Sequence, residues 1–344
     1  MTPIVPLRFS PRPAVRLAAV AAALPPAVRT SAEVEARIAG ASPAFRPREG
    51  VLEAVSGVRE RRVAAAEVQC SDLAVAAARE ALERAGLRPR DVGALVFASA
   101  SQDLLEPATA HIVQAKLGTR CQVLDVKNAC NSFLNGVQVG EALVATGQCE
   151  VALVVTGEIP SRVTEWRVES ACDFRRRFAG FTMGDAGAAA VLARATDGRG
   201  IFHRRFTAHS EHWGLATIPC CGSMHAARTA PLEVDGARLK DAFLAHGPAF
   251  LARSLCEAGV SLDDFARILV HQATLPYLGE MCAATGVPIE RVEITADVLG
   301  NMAAASLPVA YAQAHADGSI TAGDRVLWIG LASGIGIGIL MTDV

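Results

Sequence analysis

Lys127-Asn128-Ala129-Cys130-Asn131-Ser132-Phe133 joins two segments of different periodicity. Before it, Cys121-Gln-Val-Leu-Asp-Val126 reads as a buried β-strand. After it, residues 133–144 place apolar side chains at helical spacing. Cys130 therefore falls at a strand-to-helix turn, beside backbone N–H groups and the positive end of a helix dipole. Both features are expected to lower the thiol pKa and favour the thiolate. Most cysteines of intracellular proteins are small buried hydrophobes, so the partners of Cys130 decide its meaning.

Working outward, the chain repeats its own grammar. Residues 74–86 read as a helix closed by Gly86, followed by Leu87-Arg-Pro-Arg-Asp91 and the strand Ala94-Leu-Val-Phe-Ala98. Residues 247–259 read as a helix closed by Gly259, followed by Ser261-Leu-Asp-Asp264 and the strand Arg267-Ile-Leu-Val-His271. Gly86 and Gly259 are 173 residues apart, about half of a 344-residue chain. Residues 149–157 and 323–331 match as strands at nearly the same offset. A long internal period signals a duplicated unit, and alternating helices and β-branched runs make each unit a mixed α/β layer. The expected halves are residues 1–198, carrying the cysteine, and residues 199–344. Under this duplication His271 sits at the strand end equivalent to Ala98. The turn Gly300-Asn301-Met-Ala-Ala-Ala-Ser306 answers to the turn of Cys130. Equivalent strand ends would bring Cys130, His271 and Asn301 together near a pseudo-twofold axis.

Composition narrows the class. Hydrophobic residues make up 51 % and aromatics 5 %, which suits helices packed closely on sheets. The net charge of −2, from 33 basic and 35 acidic residues interspersed, points to neither nucleic acid nor an anionic membrane. Nine cysteines without CxxC or CxxH pairing argue for a reducing compartment, and the cytoplasm is expected. Arg8, Arg12 and Arg16 before the apolar run 17–24 imitate a signal peptide. The run is short, and Pro25-Pro26 with Thr30-Ser-Ala-Glu33 reads as a turn into a capped helix, so 17–24 is read as a first strand. No run reaches the roughly 18 apolar residues of a membrane span.

A cysteine thiolate can carry an acyl group covalently, while an imidazole and a carboxamide can donate hydrogen bonds to an enolate or oxyanion. His271 could instead be a satisfied histidine at a strand end, and Asn301 a turn residue. Asparagine is scarce, however: Asn128, Asn131, Asn135 and Asn301 are the only ones, and three flank the cysteine. Asn128-Ala-Cys130, His271-Gln-Ala273 and Gly300-Asn301 with Ala304-Ala-Ser306 resemble the Cys-His-Asn motifs of 3-oxoacyl-acyl-carrier-protein synthase III enzymes of the thiolase superfamily. Leu24-Pro, Arg29-Thr-Ser31, Gly57-Val-Arg-Glu-Arg61, residues 183–190 and Ala332-Ser-Gly334 support the resemblance.

The resemblance implies a five-layered αβαβα thiolase fold, a dimer, and Claisen condensation of acyl thioesters without a cofactor. It implies an oxyanion hole made by the N–H groups of Cys130 and Gly334, with His271 and Asn301 stabilising the enolate of the second thioester. Asp103-Leu-Leu-Glu106-Pro-Ala-Thr109 is similar to the segment of the olefin-pathway thiolase that joins two acyl-CoAs head to head. There the glutamate enters the partner subunit's site as the base. A malonyl donor makes its carbanion by losing CO₂, whereas an unactivated acyl donor requires a base. The alternative for Glu106 is an acid at the start of a helix before Pro107.

The implied alternatives are decarboxylative condensation with malonyl-carrier protein, acyl transfer to an O or N nucleophile, and a silent partner in a heterodimer with a paralogue. Relatives that use CoA primers carry an N-terminal tryptophan, yet this chain has Trp166, Trp213 and Trp328 only. An acyl carrier protein is therefore an alternative to CoA. Gly334-Ile-Gly-Ile-Gly338 has no helix after it and is not read as a dinucleotide loop. His209-Ser-Glu-His212 has the wrong period for a metal site and no third ligand nearby in sequence, so no metal is expected. Cys220-Cys221 reads as loop packing.

Overall fold

The computed structural model describes residues 14–220, 223–224 and 231–344. Arg8, Arg12 and Cys221 lie outside the described residues. Two mixed sheets dominate. Strands β1 (Val15–Ala23), β2 (Ala94–Ala98), β3 (Gln122–Val126), β4 (Val151–Glu158) and β5 (Ala186–Arg194) form the first, in the order β1-β5-β4-β2-β3. Strands β6 (Ile201–Ala208), β7 (Arg267–Val270), β8 (Arg325–Ala332) and β9 (Gly336–Asp343) form the second, in the order β7-β8-β9-β6.

The two orders correspond position by position, with β1, β5, β4 and β2 answered by β6, β9, β8 and β7. Pairing matches as well: β2 is parallel to β4 as β7 is to β8, and the remaining corresponding pairs are antiparallel. Where β3 runs parallel to β2, the second half keeps a parallel bridge between Ile268 and Val292.

Alternation along β2 explains the layering. Leu95 and Phe97 join an outer core with Leu73, Ala77, Ala81 and Val113 of helices α1 (Cys70–Arg84) and α2 (Thr109–Leu117). Ala94, Val96 and Ala98 point the other way, into a central core. That centre is filled by Phe133 and Val137 of α3 (Ser132–Ala145), Leu307 and Tyr311 of the helix Ser306–Ala316, and Trp328 and Leu340 of the second sheet. The far side of the second sheet packs on α4 (Gly236–Ala258) and α5 (Leu275–Thr285) through Phe243, Leu251, Leu278 and Met281. The result is the expected αβαβα stack, in which the central strands β4, β5, β8 and β9 are buried on both faces and hence largely apolar.

Two expectations change in detail. β3 is an edge strand rather than a buried one, with Gln122 and Asp125 exposed. The helix ending at Gly259 begins at Gly236 rather than Gly247 and runs through Pro248, its start capped by Asp235, which accepts from Arg238 N–H at 3.2 Å. Thr30 and Glu33 cap the helix Ser31–Ala41 reciprocally, as the sequence indicates. No described helix is long and apolar enough to cross a membrane.

Candidate active site

Cys130 leaves β3 and enters α3 through a tight turn. Asn131 N–H donates to Asn128 O at 3.0 Å and Ser132 N–H to Ala129 O at 3.1 Å. Asn128 N–H donates to the Ser132 hydroxyl at 2.8 Å. The answering turn uses the same device, Met302 N–H donating to Ser306 Oγ at 3.2 Å. Ala129 and Ala303 both adopt left-handed backbone, with φ of 46° and 49°, which is uncommon for residues bearing a Cβ. The next residue is Cys130 in one turn and Ala304 in the other, so only one of the two matching turns carries a thiol.

The three polar residues are tied to shared structure. Asn131 Nδ2 donates to Gly336 O at 3.1 Å, docking the Cys130 turn on the β8–β9 hairpin. A Cβ at Gly330 would stand 2.0 Å from Asn131 Oδ1, so β8 accepts this turn only with glycine there. His271 N–H donates to Ile329 O at 2.9 Å, which sets the imidazole at the end of β7 beside the same strand. Gln272 then links His271 to the approach of Asn301: its Oε1 accepts from Thr295 and Ala296 N–H, both at 3.1 Å, and its Nε2 donates to Glu293 O at 2.6 Å.

Asn301 is held between backbones. Its N–H donates to Thr182 O and its carbonyl accepts from Gly184 N–H, each at 3.0 Å. Its Oδ1 accepts from Ala303 N–H at 2.9 Å, which leaves the amide nitrogen as the donor end. A Cβ at Gly184 would meet Leu299 O at 2.0 Å, so these loops close only without a side chain. Arg61, 1 % exposed, donates to Phe181 O at 2.9 Å and to Ser31 Oγ at 3.2 Å behind the same junction. The Gly57–Arg61 motif is thus a buttress for the Asn301 loop. Gly334 lies in the β8–β9 turn with φ 130°, a conformation that favours glycine.

Electrostatics departs from the expected thiolate. Burial pushes the Cys130 thiol up to about 12, and the Glu158 carboxylate adds to the effect; the residue's own N–H opposes them. Glu158, absent from the sequence reading, ends β4 fully buried and accepts from Ala100 N–H (2.7 Å), Ser101 N–H (3.0 Å) and the Ser101 hydroxyl (2.7 Å). Desolvation raises its pKa despite these donors. An acid closing an otherwise apolar strand was its visible signal. Burial lowers the His271 pKa to about 4, and its Nδ1 is buried without a hydrogen-bond partner. Burial therefore favours the uncharged thiol of Cys130 and the neutral imidazole of His271 over their charged forms.

The lowered pKa of His271 has a thermodynamic consequence. Below pH 6.5 the unfolded chain binds a proton that the folded chain refuses down to about pH 4, so stability contributed by the neutral imidazole is lost as pH falls through that window. Denaturant titrations should show wild type losing about 3 kcal/mol more than His271→Asn between those limits. Parallel pH profiles for the two would contradict a buried neutral imidazole.

Glu106 sits exposed on the loop between β2 and α2, next to Leu104 and Leu105, which are 52 % and 71 % exposed. The first-turn alternative does not hold: α2 begins at Thr109, and Asp125 accepts from Thr109 and Ala110 N–H at 2.8 Å each. Trp166, distant in sequence from the N-terminal segment, meets it in space, with the guanidiniums of Arg37 and Arg29 at 4.2 Å and 5.5 Å from its ring centre.

Known proteins share this arrangement of sequence and fold. The family model for 3-oxoacyl-[acyl-carrier-protein (ACP)] synthase III matches residues 124–210, and the model for its C-terminal part matches residues 255–343. The beta-ketoacyl-[acyl-carrier-protein] synthase III of Erythrobacter litoralis is 32 % identical over 316 residues, covering 91 % of this chain and 94 % of its own. That of Rhizorhabdus wittichii is 32 % identical over 282 residues, covering 81 % and 85 %. Among solved structures, cerulenin-bound OleA of Xanthomonas campestris superposes with a TM-score of 0.88 at 26 % identity, covering 97 % of this chain and 98 % of that one. A cysteine-to-serine variant of the same OleA with lauric acid and lauroyl-CoA gives a TM-score of 0.86 at 26 % identity, covering 96 % and 99 %. The chain thus belongs to the 3-oxoacyl-[acyl-carrier-protein] synthase III family, acyl-transferring condensing enzymes of the thiolase superfamily.

Proposed function

We propose that the protein works as a homodimer that loads an acyl group on Cys130 and joins it head to head to a second acyl thioester, without loss of CO₂. The loop of residues 103–107 carries this reading. Its base is clamped: Asp103 accepts from Ser71 N–H at 3.1 Å and from the Ser71 hydroxyl, and Asp103 N–H donates to Thr109 Oγ1 at 3.2 Å. The tip, Leu104-Leu105-Glu106-Pro107, stands clear of its own chain. An apolar tip bearing a carboxylate suits insertion into a second copy, and the free edge of β3 offers a further surface for that copy.

The chemistry follows from these groups. The Cys130 sulfur attacks the first thioester carbonyl, its proton leaves with the departing thiol, and the N–H groups of Cys130 and Gly334 donate to the oxyanion. Glu106 of the partner subunit removes the α-proton of the second thioester. Glu158 is unsuited to that task, because its oxygens are engaged inside the fold. The enolate oxygen accepts hydrogen bonds from His271 and Asn301, the α-carbon attacks acyl-Cys130, and a β-keto thioester forms as the Cys130 thiolate departs. Arg29 and Arg37 beside Trp166 supply cations and a ring for a phosphate-bearing carrier, either CoA or a carrier protein.

A second reading, decarboxylative condensation with a malonyl thioester, goes with the resemblance to beta-ketoacyl-[acyl-carrier-protein] synthase III. Incubation with an acyl-CoA panel, followed by intact mass and product analysis with and without malonyl thioester, separates the two. Head-to-head joining yields product without malonyl; a strict malonyl requirement with CO₂ release overturns it. His271→Ala and Asn301→Ala should each retain Cys130 acylation in a single turnover while condensation falls at least about 100-fold. Equal loss of both steps would instead make His271 the base that activates the thiol.

A further inference from the structure

His209, His212 and Glu211 lack a third imidazole in sequence, but the fold supplies one. His209 follows β6, and its backbone pairs with Ile335 in both directions, N–H to O at 2.9 Å and O from N–H at 3.2 Å. His212 and Glu211 lie on the following turn Ser210–Leu215, with His212 N–H donating to His209 O at 3.2 Å. His246, on α4, stacks on His209 with ring centres 3.6 Å apart and stands 6.1 Å from the His212 ring. One ligand atom from each of His209, Glu211 and His246 falls within 4.8 Å of the others. Glu211 Oε1 is 3.9 Å from a nitrogen of both His209 and His212.

We propose that His209, His212, His246 and Glu211 form a binding site for a borderline divalent cation of the zinc, cobalt, nickel or copper class. Imidazole nitrogens and one carboxylate suit these metals, and four such donors complete a tetrahedral shell. Metal–nitrogen distances of about 2.1 Å require the ligand atoms to draw closer and the stacked rings to splay. The side chains of His209 and His212 are partly exposed and that of Glu211 is largely so, which leaves room for this closure. The cation would fasten the strand end and its turn to α4, on the far side of the Gly334-Ile335 turn from β8. It also would hold the short pair Ala216–Thr217 and Glu233–Val234, whose adjoining Asp235 N–H donates to Leu215 O at 2.8 Å.

Cobalt titration of the full-length chain tests this site by its spectrum. The expected result is one equivalent bound, with visible d–d bands and no thiolate-to-cobalt charge transfer, since no cysteine belongs to the set. Zinc should displace the cobalt, and His246→Ala and His209→Ala should each weaken binding at least tenfold. His246→Gln guards against a folding defect, with Cys130 acylation as the check that each variant is folded. Absence of d–d bands in wild type, thiolate charge transfer, or unaltered affinity in the folded His246→Gln variant would each overturn the proposal.

Discussion

Cys130→Ala should abolish both acyl labelling and turnover, with a rate loss of several orders of magnitude, as removal of a covalent nucleophile ordinarily causes. The expectation does not rest on a pre-formed thiolate, because burial and Glu158 hold the resting thiol up near 12. It rests on position: Cys130 follows the left-handed Ala129 at the start of α3, and Asn131 fixes this turn on the β8–β9 hairpin. Cys130→Ser should keep the fold and little activity. The measurement is intact mass after one turnover with an acyl-CoA. An acyl adduct persisting on Cys130→Ala would move the nucleophile elsewhere.

Glu106→Gln should leave Cys130 acylation intact while malonyl-free condensation falls by about 100-fold to 10,000-fold, the range general-base removal commands. The substitution keeps size and polarity and removes only the basic oxygen. Glu106 is exposed in its own chain, so its folding cost should be small. Wild type should exchange the α-deuterium of a labelled acyl donor and Glu106→Gln should not. Equal exchange in both would exclude Glu106 as the base.

Much of the fold was legible because its signals are local. Strand β2 announces itself by a flanking glycine, a short loop and five apolar residues, and the same grammar recurs around β7. The strand-to-helix turn of Cys130 was equally legible, since the periodicity changes across it. What failed to show depends on distant neighbours. The edge position of β3 is set by sheet order, which its own residues do not encode. The thiol's direction of shift was misread because helix N–H groups are visible in sequence, while desolvation and the reach of Glu158 exist only in the folded core. Arg61 looked like one letter of a motif, and its role behind Gly184 and Gly300 emerges only when three loops meet. His246 joined His209 for the same reason, from a helix that begins earlier than its Pro248 suggested.

The claim that one copy's Cys130 works with the other copy's Glu106 is tested most directly by mixed dimers of Cys130→Ala and Glu106→Gln chains, assayed without malonyl thioester. Each variant alone should be inactive. A random mixture should recover about a quarter of wild-type condensation, because about half of the dimers are mixed and each of these holds one site with both groups intact. Mixing that restores nothing, with dimers verified by mass, would contradict a site shared between two copies.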